Sequence, residues 1–567
     1  MHSGSIRGVI VVFFSKNPYF RNRLRFRQNA WFIDSITEGL LSKEAFKVKT
    51  QVHLEFGLLD YIVLVGYLIG VACLGIYAAG RQSSTNDYFM GGKDMPWWAV
   101  LLSVVATETS TLTFISIPAV SYGSDITFLQ ITFGYILGRI VVSMVFLPAY
   151  YEGKLTTAYQ YLATRFGASM RNITSSTFMV TRLLADGVRL FATAIPLAVI
   201  FRLGGAFTEM SDLHVYLIAI AAIAGITIVY TFIGGIKAVV WMDVMQMTIY
   251  VGGAILAIFI LIFNIPDGLT GAMGKALSEG KLNLIDFGES VGQSIQSPYA
   301  FFTAVIGGAI FSLASHGTDH LIVQRLLTTK TLRDSQKALI GSGLVACAQF
   351  AMFLFIGLLL YSFYDGQTPE ALGLSNMDEI FAMFIIEHLP IGISGLIVAA
   401  LLAAAMSSLS SSLNSLASAT TLDLYKPYFG KDNSESKDLW ISRGITVFWG
   451  FVITGSAFLF ALIQTQAEGE QPAVVELGLE IASYTYGGLL GAFLFGLFTN
   501  KPNLTDAIIG FFAGLLAMLY LVEGVIQEFL PGTGLAVAWP LYTLVGSVVV
   551  LSVGTISYYI RTRFFSE

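Results

Sequence analysis

The segment "LLAAAMSSLSSSLNSLASATTLDLY" at 401–425 carries nine Ser or Thr hydroxyls between Ser407 and Thr421 and no charge among them. Ser407, Ser411, Asn414, Ser415 and Ser418 recur at helical spacing, so on a helix they form one polar face. Two kinds of chemistry fit. Hydroxyls in apolar helices bond back to the preceding turn and let neighbours approach closely. Alternatively, oxygens without carboxylates suit a hard monovalent cation that must be released in every cycle, because a cage of charges would hold it too well.

Charged and polar residues elsewhere stand inside apolar sequence. Glu108 lies in "ATETSTLTF" (106–114), and "TRLLADGVRLF" (181–191) puts Arg182, Asp186 and Arg189 on one helix face. Ser315 and His316 lie in "SLASHGTDH" (312–320), while Thr113, Gln130 and Tyr135 are further candidates to face a cavity. Such residues either contact a solute or form an internal ion-pair network. Asp243 needs a partner in either case, because an unpaired buried carboxylate is costly. There is no phosphate-binding loop, HExxH helix or nucleophile triad, so no enzyme is expected.

The elements that must position these residues are membrane helices. Only 12% of the chain is charged and 55% is hydrophobic, with a mean hydropathy of +0.71, too little charge to clothe a water-soluble surface. Apolar segments near the ~20 residues that span hydrocarbon recur from Phe56 onward. The expected fold is all-α, a polytopic membrane protein of about thirteen spans. A net charge of -5 with no basic patch argues against nucleic acid as a partner, and Cys73 and Cys347 read as packing residues within spans.

The expected order is a basic N-terminal extension (1–54), a first peripheral helix with an inner loop (55–94), a five-helix repeat (95–264), an outer loop (265–298), a second five-helix repeat (299–499) and two C-terminal peripheral helices (500–567). The extension, with nine Lys or Arg, reads as a disordered arm or as sequence upstream of the true start. Five is odd, so the repeats are inverted, as in many secondary transporters. Each opens with a helix interrupted by small and polar residues, at 106–114 and at "GG" (307–308) followed by 312–320. Such breaks survive in lipid only where they line a cavity. Lys and Arg, Arg325 among them, crowd the loops on one side, while the other holds Arg202, Lys275 and Lys281. That bias puts the N-terminus outside and the C-terminus inside the plasma membrane.

Four stretches, "DYFMGGKDMPWWAV" (87–100), "YTFIGGIKAVVWMDVMQ" (230–246), "GTDHLIVQRLL" (317–327) and "AAAMSSLSSSLNS" (403–415), resemble the sodium/solute symporter family, which includes bacterial sodium/galactose and sodium/sialic acid carriers. The resemblance implies a LeuT-type core of two inverted repeats and sodium-driven import of a small polar solute by alternating access. It also implies a sodium site from the carbonyls of Ala106, Thr109 and Ala404 with the hydroxyls of Ser407 and Ser408. A second sodium is implied at Asp243, Ser410 and Ser411, with Ser407 shared. The solute classes are sugars, sugar acids, monocarboxylates, amino acids and vitamins; Ser315 and His316 replace the aromatic residues of the family's sugar carriers, which speaks against a galactose-like solute. A proton-coupled permease of the same fold and a transport-inactive membrane sensor are the alternatives.

Overall fold

The computed structural model describes residues 57–564 apart from 204, 206, 208, 375, 467–473, 501–502 and 524–536; the expected extension 1–54 lies outside the described residues. The principal helices are α1 (Leu58–Ala79), α2 (Trp97–Glu108), α3 (Thr111–Gly123), α4 (Gln130–Glu152), α5 (Ala168–Leu203), α6 (Asp212–Asn264), α7 (Phe301–Gly317), α8 (His320–Leu326), α9 (Leu332–Phe363), α10 (Ile393–Ala419), α11 (Glu435–Gln466), α12 (Val474–Phe498), α13 (Leu504–Glu523) and α14 (Tyr542–Phe564). Among the described residues, nine helices are long and apolar enough to cross a membrane, and the α2–α3 pair adds a bent tenth.

α6, at 53 residues, is too long for one crossing of a ~30 Å hydrocarbon layer. It turns at Gly235, whose φ of 54° and ψ of -157° suit glycine alone. A Cβ on Gly75 of α1 would lie 2.9 Å from Tyr230 Cβ and 3.3 Å from Met242 Sδ. In a straight helix those two residues would sit ~18 Å apart along the axis, so the chain doubles back here. The turn packs against Tyr88, whose carbonyl would be 2.4 Å from a Cβ on Gly235.

α10 runs through the middle of the protein, with every residue from Ile397 to Ala419 buried. Its hydroxyls therefore meet protein rather than lipid. Ser410, Ser411 and Ser415 bond back to carbonyls of their own helix at 2.7–3.1 Å. The same face also meets α8, through Asn414 to Gln324 (2.8 Å) and Ser418 to His320 (3.1 Å). The N-terminal end of α10 is tied to α1 by buried Asp60, whose Oδ1 accepts from the N–H groups of Gly392 and Gly395, each at 2.7 Å, an anion at a helix N-terminus.

The first expected break stands where the sequence put it. α2 and α3 meet at 65°, Thr109 and Ser110 being extended between them. The second break is shorter than expected. α7 runs unbroken through Gly307 and Gly308 to Gly317, and only Thr318 and Asp319 separate it from α8. The two glycines serve contact: a Cβ on Gly308 would lie 2.6 Å from the Ile131 carbonyl of α4. α8 starts on Asp319, whose side chain accepts from Leu321 N–H at 2.8 Å.

Candidate functional site

Two oxygen clusters lie where the α2–α3 break crosses α10. In the first, the Ser408 hydroxyl stands 3.4 Å from the Thr107 carbonyl, 3.2 Å from that of Thr109 and 3.3 Å from that of Ala404. One hydroxyl has a single proton to give, so its donation cannot satisfy all three carbonyls. Ligand distances of ~2.4 Å, in the range of a hard cation, put neighbouring oxygens of an octahedron roughly 3.4 Å apart. The cluster therefore has the composition and spacing of a small-cation site. Thr109 is steadied by Gln349, which donates to its hydroxyl at 2.6 Å, and Thr111 fastens the break to α10 through the Leu401 carbonyl at 3.1 Å. Of the five residues expected here, Thr109, Ala404 and Ser408 come together; Ala106 is buried, but the α2 carbonyl near Ser408 is that of Thr107, and Ser407 turns to another partner.

Ser407 faces the other way. Its hydroxyl donates to Asp243 Oδ1 at 2.7 Å, while Ser103 donates to Oδ2 at 2.5 Å. The buried cation beside this carboxylate is Arg325, 3.5 Å from Oδ2 and also bonded to Ser411. Counting Arg325 as a loop residue was therefore an error: it lies on α8, inside the bundle and fully buried. Ser410 turns back to the Ser407 carbonyl at 3.1 Å.

Between the two breaks lies a cavity of about 990 Å³, its open mouth included. Glu108, Thr113, Tyr135, Arg182, Arg189, Ser315 and His316 all line it. Asp186 stands behind this wall, 3.8 Å from Arg182 and 3.6 Å from Arg189. Gln130 is absent from the lining: its amide donates to the Tyr299 carbonyl at 2.8 Å, which makes it a tie between α4 and the segment that leads into α7.

Glu108 is held by His316 Nε2 at 2.8 Å and by Arg139, a lone arginine in an apolar span that the sequence reading passed over. Arg182 reaches Asp319 at 3.4 Å and the Tyr486 hydroxyl at 3.0 Å, and Tyr486 donates to Asp319 at 2.6 Å. Intramembrane charge was the signal that could have found Arg139 and Asp319; Tyr486 offered none.

The "Sodium:solute symporter family" pattern matches residues 88–514. The chain belongs to this family. The sodium/sialic acid symporter NanT of Aliivibrio fischeri is 32% identical over 504 residues, 88% of this chain and 93% of that one. The human sodium-coupled monocarboxylate transporter 1 is 30% identical over 82% of this chain and 73% of its own. The solved structure of a Na+-coupled sialic acid symporter in a substrate-bound, outward-open state matches with a TM-score of 0.75 at 27% identity, covering 89% of this chain and 98% of that one. This family member is thus a polytopic helical membrane protein with a LeuT-type core, a sodium-coupled transporter of a small solute, and its family and relatives are transporters rather than enzymes.

Proposed function

We propose that this symporter imports a small carboxylated solute across the plasma membrane, with sodium bound by the Ser408 hydroxyl and the carbonyls of Thr109 and Ala404, the Thr107 carbonyl taking the place expected for that of Ala106 and Ser407 serving the Asp243 cluster instead. The observation that carries this reading is the single Ser408 hydroxyl set among three carbonyls, those of Thr107 and Thr109 at the α2–α3 break and that of Ala404 on α10. Sodium there ties the break to α10, favours the outward-open arrangement and completes the wall of the cavity. Asp243, Ser407, Ser410 and Ser411 form the candidate second sodium site. The map behind the reading is that of thirteen crossings, with inverted repeats at 95–264 and 299–499, the N-terminus outside and the C-terminus inside.

Within the cavity, Arg189 supports a carboxylate-bearing solute such as a sugar acid or monocarboxylate. It lines the cavity with its side chain 22% exposed, and Asp186 is its ion-pair partner at 3.6 Å. Glu108 and His316 are engaged with each other and are left to position hydroxyl or amide groups. Thr113, Ser315, Tyr135 and Phe311 supply further polar and apolar contacts around the same space.

Uptake into proteoliposomes tests both parts. Accumulation driven by an inward sodium gradient, persisting when a protonophore abolishes the pH gradient, supports the coupling; accumulation driven equally by protons without sodium overturns it. Thermal shifts in sodium with sugar acids or monocarboxylates, and none with neutral sugars, support the solute class.

A further inference from the structure

The oxygens around Asp243 have a tenant already. Arg325 donates from Nε to the Ser103 hydroxyl at 3.0 Å, from one terminal nitrogen to the Leu321 carbonyl at 2.7 Å, and from the other to Ser411. That last nitrogen stands 3.5 Å from Asp243 Oδ2, beyond a strong charge-assisted bond. The guanidinium is thus spread over the cluster instead of clamped on the carboxylate. All of Arg325, Asp243, Ser103, Ser407 and Ser411 are fully buried. The Ser411 hydroxyl gives its proton to the Ser407 carbonyl at 2.7 Å, so its oxygen is left to accept from Arg325.

We infer that Arg325 is a tethered cation that alternates with the second sodium on Asp243 and Ser411. The inference rests on the sodium-coupled reading of these residues and adds a device to it. A sodium ion and a guanidinium cannot both use the Ser411 oxygen and the Asp243 carboxylate. Nor can two positive charges sit against one buried carboxylate without a large desolvation cost. Sodium entry therefore displaces Arg325, and the return of Arg325 expels sodium. Charge in the cluster stays balanced at each stage. Thr107 joins this cluster to the first one, its hydroxyl 3.0 Å from Ser411 and its carbonyl 3.4 Å from Ser408.

Equilibrium binding of radioactive sodium to the purified protein tests this. The wild type is expected to bind one ion that Ser408→Ala weakens and a second, weaker one. In Arg325→Gln the second step should move to at least tenfold lower sodium concentration, with slower sodium release. Arg325→Lys keeps the charge but cannot span Ser411 and Asp243 together, and should fall between. Arg325→Gln combined with Asp243→Asn leaves no unpaired ion and should bind one sodium. A second step that is unchanged or weaker in Arg325→Gln or in Arg325→Lys, with the Ser408-dependent ion still bound, overturns the tethered-cation inference alone. Absence of any sodium binding to the wild type overturns the sodium site at Ser408 as well.

Discussion

Adjacent serines on α10 serve different clusters: Ser407 donates to the Asp243 carboxylate at 2.7 Å, whereas Ser408 stands among the carbonyls of the α2–α3 break. One residue of helical rise and turn is enough to separate them.

Ser408→Ala should therefore raise the sodium concentration for half-maximal uptake by about tenfold or more, about 1.4 kcal/mol in binding. Ser407→Ala should change it less, because the Ser407 hydroxyl is spent on Asp243. Sodium titrations of both variants at matched expression check this; equal effects would remove the distinction between the two serines.

Glu108→Gln strips the counter-charge from Arg139, which is fully buried and otherwise bonded to Ser342 at 2.8 Å. Breaking a buried pair from one side costs about 3–5 kcal/mol. The expected result is a large fall in melting temperature in detergent. Adding Arg139→Met should restore much of it, while transport stays impaired because Glu108 lines the cavity.

Asp60→Ala leaves the N–H groups of Gly392 and Gly395 without their acceptor at the start of α10. A cost of about 1–3 kcal/mol for orphaned buried donors predicts lower thermal stability. The sodium dependence of uptake should hold, since the proposed sodium cluster lies at the middle of α10. A shifted sodium dependence at normal stability would mean that Asp60 acts on the site itself.

Gly235→Ala puts a methyl group 2.4 Å from the Tyr88 carbonyl and an L-residue at positive φ. The turn that folds α6 back on itself cannot absorb both, so folded yield should collapse on size-exclusion chromatography. Normal yield would show that the hairpin tolerates another backbone path.

Much of this was legible from residue types. The polar face of α10 and the first break are visible because polar residues in apolar spans have few explanations, and Asp243 announced its need for a partner for the same reason. The partner's identity was hidden: Arg325 sits among residues that read as a charged inner loop, and only the short helix after the second break carries it into the bundle. Gly307 and Gly308 read as a helix interruption, yet in a packed bundle glycine as readily marks where another backbone comes close. Gln130 shows the limit from the other side, since a polar side chain at a helix end can be consumed by a loop carbonyl that no spacing reveals.

The ion pairs around the cavity have a thermodynamic consequence. Arg139, Arg182 and Arg189 are matched by Glu108, Asp186 and Asp319, so these six side chains sum to zero. The proposed anionic solute would bring an unmatched charge into such a neutral, low-dielectric space, and at the proposed sodium site the nearest incoming positive charge would be one residue away along the broken helix. Each ligand then lowers the free energy of binding the other by the same amount. In that scheme, cooperativity between driver and cargo follows from charge parity in the resting protein, before any helix has moved.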